Sequence, residues 1–132
     1  MTHPFGTARY IKAQQAPSPF SLYDPSPLFR REFSIDGEIR EATLVVQSPC
    51  FAEYYINASS VTPDRFISPT SDYRHILWYN VYDVTALLRE GKNVLGVITG
   101  NGFFNEPFES GWHFPTAAWR DAPQFMLALY VN

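Results

Sequence analysis

The chain has 132 residues, a mass of 15.1 kDa, a net charge of -3, and 45% hydrophobic against 17% charged residues; this fits one domain and argues against intrinsic disorder. Its ten basic residues include no run longer than Arg30-Arg31, which excludes electrostatic capture of nucleic acid. A single cysteine, Cys50, excludes an internal disulfide and a Cys-rich metal site, and the sequence offers neither a signal peptide nor an apolar run of the ~18 residues that cross a bilayer. The expected setting is cytoplasmic, with no membrane partner.

Aromatic residues at 17% and 11 prolines point to short strands and proline-bounded loops rather than long helices. Residues 1–27 read as an extended arm, because Pro17, Pro19, Pro25 and Pro27 fix their own backbone and restrict the residues before them. A β-sandwich is expected over 28–132. Its first strand is Phe29 to Ile35, with Phe29, Phe33 and Ile35 on one side and Arg30, Glu32 and Ser34 on the other. Asp36-Gly37 supplies a turn, and strands follow at Ala42 to Gln47 and Phe51 to Asn57, parted by Ser48-Pro49. The stretch from His75 to Tyr82 is apolar on both sides and is expected to be a central strand covered on both faces. Asp83 to Gly91 has a capping acid, an apolar face at Val84, Leu87 and Leu88, and a terminal glycine, which predicts one short helix. Val94 to Thr99 and Gln124 to Val131 complete an antiparallel sandwich. The sequence breaks off at Asn132 inside strand-like residues, so the domain is expected to be truncated there and the chain to be a piece of a longer protein.

Chemistry has few footholds. His3, His75 and His113 lack the spacing of a zinc site, and Cys50 between Pro49 and Phe51 reads as core packing rather than as an activated nucleophile. Gly100-Asn101-Gly102 leads into Phe103-Phe104 instead of a helix, which makes it a tight turn with positive φ at the glycines and not a phosphate loop. Asn57-Ala58-Ser59 matches a glycosylation acceptor, but a turn is the simpler reading. Glu106 and Glu109 are the most suggestive acidic pair for glycoside cleavage, which needs carboxyls about 5–9.5 Å apart; solvated loop carboxylates are the plainer alternative.

The long segment from Gly100 to Pro123 is the most informative, since loops of that length in compact domains are usually functional. Its rings, amides and acids are the mixture that binds sugars: rings pack on C–H faces and planar polar groups take hydroxyls. The candidate contacts are Asn101, Asn105, Glu106, Trp112, His113 and Trp119. The competing reading, of equal weight, is that the aromatics fill the end of the sandwich or pack on a neighbouring domain. Oxygens of Asn101, Asn105, Glu106 and Asp121 make calcium conceivable, without the dense acid spacing of a dedicated loop.

The runs Pro27 to Phe33, Ala42 to Leu44, Tyr55 to Asn57, Tyr82 to Val97 and Gly100 to Phe104, in this order, resemble the N-terminal region of bacterial α-L-rhamnosidases. The resemblance covers roughly residues 8 to 132. It departs at Asn57-Ala58, where the family usually carries Asn-Gly, and at Phe103-Phe104-Asn105, where a Trp-Tyr-Arg run is commoner. It implies an all-β jelly-roll of the galactose-binding-like type, preceding a helical-barrel catalytic domain that removes terminal α-linked L-rhamnose with inversion. On this reading no catalytic residue lies in the chain, whose partners are the remainder of the parent polypeptide and a rhamnose-containing carbohydrate. No resident cofactor is expected, calcium being the one conceivable ion.

Overall fold

A computed structural model describes residues 3–13, 24–63, 69–109 and 112–132. Among the described residues eight strands form two four-stranded antiparallel sheets. They are β1 (Ile11–Lys12), β2 (Leu28–Ile35), β3 (Ala42–Gln47), β4 (Phe51–Ile56), β5 (Ser59–Ser60), β6 (Asn80–Asp83), β7 (Gly91–Gly100) and β8 (Gln124–Val131). One sheet runs β1-β8-β3-β6 and the other β2-β7-β4-β5. The antiparallel sandwich expected from the sequence is therefore present.

The period-two pattern explains the core. Leu44 and Val46 of β3, Ala52, Tyr54 and Ile56 of β4, Val97 of β7 and Phe125 of β8 form one buried cluster. The two sheets are stapled by edge-to-face rings, with Phe29 and Tyr54 of one sheet 5.0 and 6.2 Å from Phe125 of the other. Such pairs add about 0.5–1.5 kcal/mol beyond the area they bury.

Three expectations need correction or extension. The stretch from His75 to Tyr82 is not a central strand: only Asn80–Asp83 is a strand, it lies at the end of its sheet beside β3, and Ile76 to Tyr79 are exposed. Two apolar sides do signal burial, but among the described residues the stretch is covered only in part, by the Phe5 ring against Tyr79 and by the core against Tyr82. The helix over Asp83 to Gly91 is a single 3-10 turn at Thr85–Leu87. Asp83 does hold its start, its Oδ1 accepting from the Thr85 amide and hydroxyl at 2.9 and 2.6 Å. Buried Asn93 then reverses the chain, accepting from the Arg89 amide and donating to the Arg89 and Gly91 carbonyls, so the backbone groups a helix would use are already satisfied. Finally, within the stretch read as an arm, β1 pairs Ile11 with Phe125 and Lys12 with Gln124; residues 14–23 lie outside the described residues.

The Asn57-Ala58 turn links β4 to β5 through a two-residue loop between the paired Ile56 and Ser59. Both loop residues have positive φ, 49° and 68°, as a primed hairpin turn demands. Asn57 compensates by donating to the Leu87 carbonyl and to Asn93 Oδ1 and accepting from the Val94 amide.

Candidate functional site

The segment between β7 and β8 begins with the turn at Gly102, the one glycine of Gly100-Asn101-Gly102 with positive φ. A Cβ there would stand 3.2 Å from the Phe51 nitrogen, so the turn is pressed against the start of β4. A 3-10 turn at Phe103–Asn105 follows. Asn101 anchors it twice: its carbonyl accepts from the Asn105 amide at 3.2 Å and its Oδ1 from Asn105 Nδ2 at 2.9 Å.

This geometry divides the six candidate residues. Asn105 is fully buried, with its Oδ1 lacking a partner, so it braces the turn from inside and presents nothing to solvent. Trp119 is half-buried and stacks on Phe104 at 5.9 Å and 20°, while Tyr73 meets both rings edge-on at 4.8 and 5.4 Å. These rings and Cys50 make a second core cluster that caps one end of the sandwich. Asn101 and Glu106 are half-buried at its margin, whereas Trp112 and His113 are exposed, Trp112 at 79%. His113 adopts left-handed backbone, and its carbonyl accepts from the amide and hydroxyl of Thr116, both at 3.1 Å. The loop is thus packed at its two ends and displayed in its middle.

The remaining chemistry is quiet. Cys50 Sγ accepts from the Gln124 amide at 3.2 Å, and burial pushes its thiol upward, which suits packing and not nucleophilic attack. Two of the four side chains considered for calcium are engaged elsewhere. Asn101 Oδ1 is taken by Asn105, and Asp121 pairs with Lys12 at 2.5 Å and accepts from the Ala122 amide at 2.7 Å. Partial burial drives the Asp121 carboxyl up, but those two hydrogen bonds carry it below its usual range. Among the described residues no three His, Cys, Asp or Glu side chains cluster as a metal site.

Two further hollows escaped the sequence. One, of about 250 Å³, opens between the sheet edges and is lined by Ile11, Phe29, Arg31, Leu95, Phe125 and Leu127 among others. The other, of about 490 Å³, lies on the outer face of β4 and β5 beside Glu53, Tyr55, Ser60 and Thr62, with the Tyr55 hydroxyl donating to Glu53. Strand parity puts Glu53 and Tyr55 outward, a signal present in the sequence; Ser60 reaches them only through the hairpin.

Comparison with known proteins assigns the fold a family. A model described as the alpha-L-rhamnosidase N-terminal domain matches residues 37–132. A curated alpha-L-rhamnosidase from Formosa agariphila is 32% identical over 79 residues, which make up 59% of this chain and 8% of that one. The solved alpha-L-rhamnosidase of Dictyoglumus thermophilum superposes on 100% of the chain with a TM-score of 0.80 and 25% identity, using 15% of its own length. That of Aspergillus terreus superposes on 96% with a TM-score of 0.82 and 26% identity, using 14%. The chain therefore spans a small fraction of the proteins it matches.

Proposed function

The chain belongs to the α-L-rhamnosidase N-terminal domain family, and we propose that it serves as a noncatalytic accessory domain of a longer hydrolase acting on terminal α-L-rhamnosides. The observation that carries this reading is its span: the parts that match make up 8% of a curated rhamnosidase and 14 to 15% of two solved ones. Bond cleavage in the parent is then the work of acids in other domains, and the chain contributes position or recognition.

Within that role the displayed middle of the loop is where the domain meets carbohydrate. Trp112 offers a bare indole for the C–H face of a rhamnose ring, with His113 and Glu106 near it in sequence to take hydroxyls. A specific observation favours a purely structural second reading: Phe104, Asn105 and Trp119 are already spent on internal packing. Titration of the purified chain with L-rhamnose, followed by tryptophan fluorescence and NMR with and without calcium, separates the two. A response confined to Trp112 supports sugar contact, and no response at millimolar sugar leaves the structural role. Release of phenol from an aryl α-L-rhamnoside by the 132-residue chain alone would overturn the noncatalytic assignment.

A further inference from the structure

The outer face of the β1-β8-β3-β6 sheet does not look like a solvent face. Leu44 and Val46 of β3 point into the core, so Val45 points away from it, yet Val45 is buried too. Its cross-strand neighbours are Val81 on β6 and Ala128 on β8, which makes an apolar row across the outside of the sheet. The N-terminal residues cover part of this face: Phe5 is buried and meets the Tyr79 ring edge-on at 5.9 Å, and the Tyr130 hydroxyl donates to the Pro4 carbonyl at 2.9 Å. The cover stops short of Val81. From there an apolar strip continues through Tyr79, Trp78, Leu77 and Ile76, whose exposures together with that of Val81 run from 42 to 59%.

No charged side chain interrupts residues 76–82, and the charges at either end are occupied. Asp72 holds Arg74 and His75 at about 3 Å, and Asp83 holds Thr85. A contiguous apolar strip flanked by internally satisfied charges has no electrostatic appeal for an acidic or basic partner and fits an apolar surface. Its sequence is that of a strand meant for burial on both sides, and within the described residues only one side is covered.

We infer that this strip, running from Ile76 to Val81 along the β6 edge, is the seat of another domain of the same polypeptide. The inference rests on the reading above of the chain as part of a longer rhamnosidase. Relatives in which the matched part is only 8 to 15% of the length supply an occupant always present in equal amount, which a strip this apolar requires in order to stay out of water. It places the docking surface on β6 and not on the aromatic loop between β7 and β8.

The test is hydroxyl-radical footprinting of the full-length polypeptide, native and in urea, read at Trp78 and Tyr79. Oxidation several-fold slower in the native protein, and independent of protein concentration, is the expected result. Oxidation near the unfolded rate would overturn the proposal, as would protection that disappears on dilution while sedimentation reports a dimer falling to monomer, since the occupant would then be a second copy. Hydrolysis of an aryl α-L-rhamnoside by the same preparation reports on the family reading by itself: an inactive protein with protected Trp78 keeps the docking surface and removes the activity, and an active one with labelled Trp78 does the reverse.

Discussion

Ala58 occupies a backbone conformation that suits glycine, and replacing it tests how the β4–β5 hairpin is held. An alanine at φ 68° bears the left-handed cost of about 1–2 kcal/mol. Glycine is relieved of it but gives up roughly 0.4–1 kcal/mol more chain entropy on folding. Ala58→Gly is therefore expected to stabilise by about 0.5–1 kcal/mol, or about 2–4 °C in Tm for a domain of this size. Asn57→Gly places the same residue at the neighbouring positive φ with the opposite outcome, because Asn57 also bonds Leu87, Asn93 and Val94. Leaving those partly buried groups without partners is expected to cost about 2 kcal/mol. Urea titrations of both variants, with the m-value checked for constancy, decide the matter. If the two glycines move stability in the same direction, the division between conformational strain at Ala58 and side-chain bracing at Asn57 is wrong.

Phe104→Ala is expected to destabilise by about 3–5 kcal/mol, since it empties the ring cluster with Trp119 and Tyr73, while Trp112→Ala stays within about 0.5 kcal/mol; chemical denaturation of both distinguishes the packed from the displayed part of the loop. Gly102→Ala is expected to lower stability by about 1–3 kcal/mol, because the added carbon meets the Phe51 nitrogen at 3.2 Å on a backbone with φ 55°; a melt unchanged from the parent would refute the close approach. The Asp83 carboxyl is held below its usual range by the hydroxyl and amide of Thr85. Its stabilising contribution is present above the unfolded carboxylate value and is lost as pH falls through the depressed folded value. The Tm difference between wild type and Asp83→Asn should thus be largest near neutrality and close on acidification, and a gap that widens toward low pH would contradict the assignment. Cys50, buried with its thiol pushed up, is expected to resist alkylation at neutral pH until denaturant is added, as a thiol assay with and without urea would record.

Long strands were legible because their alternation survives in the residues themselves: Phe29, Phe33 and Ile35 do share the inner side of β2, and Leu44 and Val46 that of β3. The two-residue strands β1 and β5 were not, since Ile11–Lys12 and Ser59–Ser60 are too short to carry a period and exist only through their partners, Phe125 and Gln124 for one, Tyr55 and Ile56 for the other. The helix over Asp83 to Gly91 failed for a different reason. Val84, Leu87 and Leu88 have helical spacing, but helix length is decided by what satisfies the backbone, and here the Asn93 side chain does so from across the turn. A propensity read along the chain has no access to that bond.

The same distinction governs the candidate site. Trp112 and Trp119 are indistinguishable in the sequence, both lying in one aromatic-rich segment, and they end in opposite roles because of Tyr73, a residue far upstream that reaches Trp119 and not Trp112. Composition sets how much ring surface a loop carries; only long-range contact decides which rings are consumed in closing the sandwich. At residues 76–81 the relation is reversed, for there local sequence specifies burial and the described part of the fold withholds it. A pattern that is locally consistent and globally unmet marks a surface whose partner lies outside the described residues, and the most economical partner is one tethered to the same backbone, since a tether sets a high effective concentration without any new contact having to be selected.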